Sequence, residues 1–164
     1  MPTTTYTPLA NITLTGSSST VTFSSITAGY RDLIIAISLN PNGNGNYPSM
    51  RFNGSSSTSY SSVSMYGTGS VTGSASYTQN RIYMPLEVGT TSGNITTIIT
   101  QIMDFSASDK HKSVLTRSNP STNGVEAVAS RWANTSAITS ISLFDANGTN
   151  FASGTSFALY GIAA

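Results

Sequence analysis

The 164-residue chain has no cysteine, a single histidine, a single tryptophan and few charges. Without cysteine there is no disulfide, no thiolate nucleophile and no zinc site of the cysteine type. Charged residues make up only 8% of the chain, seven basic against six acidic, for a formal net charge of +1. The basic residues are scattered and form no run, which excludes nucleic-acid binding through phosphate neutralisation. No apolar stretch reaches the length that a membrane-spanning helix needs. The N-terminal Met-Pro-Thr-Thr-Thr-Tyr has neither the basic end nor the apolar run of a signal peptide. The expectation is a protein made in the cytoplasm, not exported by an ordinary route, with no nucleic acid and no membrane as partner.

What is abundant is serine and threonine, together about a third of the residues. Glu, Lys and Leu, residues that fill helices, are sparse, whereas short strands joined by tight turns suit this chemistry. Regularly spaced Ile, Val, Leu and Phe in every segment exclude a disordered chain. Residues 1–164 are long enough for one domain with a core of its own.

The strongest strand signals lie at 31–39 and 155–162. Leu33, Ile35, Ile37 and Leu39 alternate with Ile34 and Ala36, so apolar character on both faces marks a central strand. Phe157 and Leu159 oppose Ala158, Tyr160 and Ile162. Further strands are expected at 6–15 and 20–24, as a hairpin or in adjacent sheets, and at 50–52, 111–118, 125–132 and 137–144. Residues 81–88 alternate as well, but Pro85 demotes them to an edge strand or a bulged one. At 94–103, Ile95, Ile98, Ile99 and Ile102 recur at helical spacing, yet the β-branched run favours a strand. Two stretches fall outside this pattern. Residues 1–8 read as an N-terminal arm, and 55–78, rich in Ser, Gly and Tyr, as a long excursion lying over the sheet. About nine or ten strands with little helix predict an all-β, antiparallel β-sandwich, with a jelly roll as the expected topology.

Residues able to carry chemistry are few. His111 has Asp109, Lys110 and Lys112 beside it, but no Gly-x-Ser-x-Gly elbow accompanies it, and a surface residue at a strand start explains it. Asp32, Glu87, Asp104, Asp109, Glu126 and Asp145 are isolated in sequence, most of them beside turns or strand ends, where a solvated role suffices. Residues 145–150 place oxygen ligands around a glycine, as a calcium loop does, but lack the later glutamate, and Asn-Gly is an ordinary turn. Trp132 and the eight tyrosines raise sugar stacking, against packing at a sandwich end or a subunit contact. The expectation is no enzyme, no catalytic residue, no cofactor and no metal.

Several phrases, taken together, resemble a group of small tailed-bacteriophage virion structural proteins. They are Arg-Asp-Leu-Ile-Ile at 31–35, Met-Arg-Phe-Asn-Gly at 50–54, and Tyr60 with Met-Tyr-Gly at 65–67. Further on come His-Lys-Ser-Val-Leu at 111–115, Trp132 with Ala-Ile-Thr-Ser-Ile at 137–141, and the segment 151–162. They run through nearly the whole chain. The resemblance implies a virion component, and two places on the particle. One is a capsid decoration, or cement, protein outside the head, often trimeric, binding joints between major capsid protein subunits. The other is a tail fibre or receptor-binding module for host polysaccharide. Size favours decoration, and residues 1–8 and 55–78 are the segments expected to make its contacts.

Overall fold

The computed structural model describes residues 5–85, 87–120 and 124–163. Among them are twelve strands and no helix: β1 Tyr6–Thr13, β2 Thr20–Phe23, β3 Asp32–Leu39, β4 Pro48–Phe52, β5 Tyr60–Gly67, β6 Thr72–Gln79, β7 Ile82–Tyr83, β8 Thr96–Met103, β9 Lys112–Ser118, β10 Val125–Trp132, β11 Ile141–Asp145 and β12 Ser156–Ile162. Eight form one sheet in the order β1-β12-β3-β8-β9-β10-β5-β6, and four form a second, β2-β11-β4-β7. Every pairing is antiparallel. The all-β sandwich expected from the sequence is the fold observed.

The alternations at 33–39 and 157–159 decide which face turns inward. Leu33, Ile35, Ile37, Phe157 and Leu159 are buried against Val21, Phe23, Met50, Phe52, Ile141 and Leu143 of the small sheet. Segments 6–15 and 20–24 go to different sheets rather than forming a hairpin. The inner face of β9, β10 and β5 is closed differently, by the chain that follows β7. There the Glu126 carboxylate accepts hydrogen bonds from the Glu87 and Val88 amides at 2.9–3.2 Å, and the Thr100 hydroxyl donates to the Met84 sulfur at 3.7 Å. A backbone lying that close leaves room for small inward residues. Ser62 and Ser130 pair at 2.7 Å, and Thr100 and Thr116 at 2.9 Å.

That closure explains three corrections. Residues 55–78 are no excursion over the sheet: they hold β5 and β6, a hairpin that forms its edge. Their inward positions include Ser62, Ser64 and Gly73 in place of large apolar residues, so the alternation is invisible in the sequence. Of residues 81–88 only Ile82–Tyr83 is a strand. Beyond Pro85 the amides of Glu87 and Val88 turn to Glu126 instead of a ladder, and Leu86 lies outside the described residues. The reading of 1–8 as an arm fails from Tyr6 onward, because Tyr6, Thr7 and Pro8 pair with Ile162, Gly161 and Tyr160; residues 1–4 lie outside the described residues. The count is therefore twelve rather than nine or ten.

Gly161 sits where a side chain would break the core. A Cβ built on it would lie 2.4 Å from Cγ of Tyr30, whose ring packs on the core cluster. Gly161→Ala is expected to cost about 1–3 kcal/mol through overpacking, read by urea denaturation. In a Tyr30→Ala background the same change is expected to cost little, because the colliding ring is gone.

Candidate functional site

The structure brings some of the groups singled out by sequence together in pairs, Asp32 with Asp104, Asp104 with Lys110 and Glu126 with Glu87, but gathers them into no larger cluster among the described residues. His111 is exposed just before β9, and Asp109 is exposed in the preceding turn. Asp104 and Lys110 form a surface ion pair at 3.5 Å, with side chains 41% and 52% exposed. Asp32 is buried and accepts from the Asp104 amide at 3.0 Å, Gln101 at 3.1 Å and Arg31 at 3.3 Å. Burial alone would raise its pKa, but the Asp104 amide, the Arg31 guanidinium and Gln101 favour the anion, and the net shift is downward from 3.8. Glu126 is committed to the loop after β7. Among the described residues no group of three or more His, Asp or Glu is placed to hold a metal.

Residues 145–150 form a turn, with the Gly148 amide donating to the Asp145 carbonyl at 3.1 Å. The Asp145 carboxylate receives the Tyr47 amide and the Asn147 amide, each at 2.8 Å, so it organises backbone. Trp132 is buried at 1% exposure. Its ring lies 13° from parallel to Tyr60 with centroids 6.1 Å apart, and its centroid is 5.5 Å from that of Phe52. It closes the core and offers no surface to a sugar.

Two surfaces remain. The first is the outward face of the eight-stranded sheet, where strand register brings apolar side chains into rows. Leu115 lies opposite Ala129, which lies opposite Val63; Ala127 lies opposite Met65. Met65 is 67% exposed and Val125 63%, and Val63 and Leu115 are 54% each, so no other segment among the described residues covers them. Arg117 and Arg131 project from the same face and are exposed. The one strand carboxylate there, Asp32, is occupied by its three donors. The face is apolar with a positive balance.

The second surface is a cleft of about 240 Å³ at the side of the sandwich, lined by Tyr47, Tyr77, Gln79, Tyr83 and Asn147. Tyr77 and Gln79 come from the edge strand β6, Tyr83 from the edge strand β7, and Asn147 from the turn after β11. The Tyr47 and Tyr83 rings stand at 84° with centroids 6.4 Å apart. The Tyr77 hydroxyl is hydrogen-bonded to the Glu87 carboxylate, which holds its pKa above the usual 10.0. Sequence reasoning noticed the tyrosines but could not group these three, because four separate segments meet only after the two sheets stack.

Comparison with known proteins finds no matching family model and no matching curated protein. Solved structures of the alginate lyase Aly36B resemble the chain weakly. A double mutant holding an alginate tetrasaccharide shares 13% identity at a TM-score of 0.37, and the lyase alone 12% at 0.39. Each comparison covers 93% of this chain and 77% of the other. These neighbours are an enzyme, so the sequence-based expectation that the chain is not an enzyme is withdrawn. At such identity and TM-score the likeness carries no substrate, chemistry or site to this chain.

Proposed function

We propose that the protein is a structural component of a tailed-bacteriophage virion, a decoration protein bound outside the head at joints between major capsid protein subunits. The observation that carries this reading is the uncovered outward face of the large sheet. Exposed apolar side chains in a contiguous patch mark an interaction surface, and Met and Arg are enriched at interfaces of this kind. Arg117 and Arg131, with no free carboxylate among the described residues of those strands, call for an acidic partner surface and disfavour a second copy of the same face. The capsid shell is that partner. Three copies around a joint link neighbouring subunits, and multivalency makes the assembly hard to dissociate.

The strand order supports the reading in a second way. Between the sets β1-β12-β3-β8 and β2-β11-β4-β7 the chain crosses at β1 to β2, β2 to β3, β3 to β4, β7 to β8, β8 to β11 and β11 to β12. We read this as a jelly roll, an architecture found in viral capsid and lectin domains. The pairs β5–β6 and β9–β10 are insertions that widen one sheet and create the outward face. Fold alone does not assign function, so the test is direct. Copy number in purified particles is expected to be in the hundreds. Met65→Ser with Leu115→Ser is expected to lower capsid occupancy by about tenfold or more, a loss of at least 1.4 kcal/mol. A handful of copies per particle would favour a tail location, and full occupancy by a folded double variant would refute the role given to this face.

A further inference from the structure

We infer that the cleft between the sheet edges is a binding site for a neutral saccharide, taking one pyranose ring among Tyr47, Tyr77 and Tyr83. This inference does not depend on the virion reading, and it concerns a different surface. A pyranose ring presents flat C–H faces and a rim of hydroxyls. The cleft matches both, with aromatic rings for the first, and phenol and amide groups that donate and accept for the second. Its volume of about 240 Å³ falls below the ~300–1,000 Å³ of sites for drug-sized ligands, which suits a single ring of a longer chain.

The walls are held in place before any ligand arrives. The Tyr47 amide donates to Asp145 at 2.8 Å, while its carbonyl accepts from the Ala146 amide at 3.0 Å and from Ser49 at 2.9 Å. Its phenol end lies over Gly89, where a Cβ would stand 3.1 Å from Cζ and 3.2 Å from the hydroxyl. Tyr83 has the Arg81 guanidinium 5.7 Å from its ring centroid. Arg81 is itself fixed by Asn80 Oδ1 at 2.8 Å and the Ala146 carbonyl at 3.3 Å. Asn147 donates from Nδ2 to the Gly45 carbonyl at 2.8 Å, which orients its amide. Asp145 thus positions Tyr47 and Asn147 together. Rigid aromatic walls lower the ordering cost of binding.

Charge selects the ligand class. Arg81 is engaged on Tyr83 and Ala146, and Arg51 lies 4.7 Å from the centroid of the Phe144 ring, while Glu87 stands at the Tyr77 rim. The Arg81 guanidinium at the Tyr83 wall and the Glu87 carboxylate at the Tyr77 rim offset each other, so a uronate or sialate gains no net attraction and is repelled at Glu87, a penalty that a neutral hexose does not incur.

The test is an array of neutral and uronate-containing oligosaccharides, followed by calorimetric titration of the best neutral binder. The wild-type chain is expected to bind a neutral oligosaccharide. Tyr83→Ala is expected to weaken it by about tenfold or more, and Tyr6→Ala, at an exposed tyrosine on the opposite edge strand β1, to leave it unchanged. Tyr77 is 41% exposed, so Tyr77→Ala keeps the fold and gives a second reading if Tyr83→Ala does not fold. Absence of neutral saccharide binding, binding that survives both tyrosine changes, or binding restricted to uronates and dependent on Arg117 and Arg131 would each overturn the assignment.

Discussion

Replacing Lys112 by methionine is expected to destabilise the domain by about 2–4 kcal/mol, the loss of charge-assisted hydrogen bonds and the exposure of unmet carbonyls. Lys112 opens β9 on an inward position and is fully buried. Its Nζ donates to the carbonyls of Ala107 at 2.6 Å, Lys110 at 3.0 Å and Thr135 at 3.1 Å. One ammonium thereby ties the turn after β8 to the loop after β10. Methionine fills nearly the same space and makes none of these bonds. Urea denaturation should show a lower midpoint at unchanged slope. Hydrogen exchange should speed up at the Ala107 and Ile138 amides, which bond to Asp104 and Phe105 beside this knot.

The same lysine has a pH signature. Burial lowers its pKa from the usual 10.5, only partly opposed by Asp109 and Asp104. Between that lowered value and 10.5 the unfolded chain holds more protons than the folded one, so stability rises with pH there. Below the lowered pKa this contribution is absent. In Lys112→Met this component of the slope should vanish.

Trp132→Ala is expected to cost about 3–5 kcal/mol, the range for removing a large aromatic ring from a core that relaxes only partly. Its loss would empty the space shared with Tyr60 and Phe52 and loosen Tyr60, whose hydroxyl accepts from the Phe52 amide at 3.1 Å and donates to the Ser55 carbonyl at 3.2 Å. Trp132→Phe should cost less, about 1–2 kcal/mol, since it also removes a buried indole N–H with no partner among the described residues. Circular dichroism is the measurement to use, because Trp132 is the one tryptophan and the fluorescent probe disappears with it. Trp132 and Lys112 are directly opposite across β10 and β9, so the Ala and Met changes should not be additive.

The strand at 94–103 shows how far residue spacing could be trusted. Its isoleucines recur at helical intervals, yet the inward positions of β8 are Thr96, Ile98, Thr100 and Ile102, all buried. Two of the four are threonines, so counting apolar residues alone hides a period of two. Ile95 is 54% exposed before the strand begins, and Ile99 faces outward. β-branching was the better guide because it reflects backbone preference rather than burial. The inward serines of β5, Ser62 and Ser64, concealed that strand for a related reason: an inward position covered closely by backbone needs a small residue, not an apolar one.

Taken by itself, the sequence determined the all-β class, the inward faces of β3 and β12, and the absence of thiol chemistry, since each depends only on local residue type and alternation. Tertiary structure alone decided which strands are neighbours, that Lys112 and Trp132 lie inside, and that Tyr47, Tyr77 and Tyr83 share one cleft. The physical reason is distance along the chain. Alternation specifies how a strand presents its faces, but not which distant segment meets them, and both candidate surfaces are made by segments that meet only when the sheets assemble.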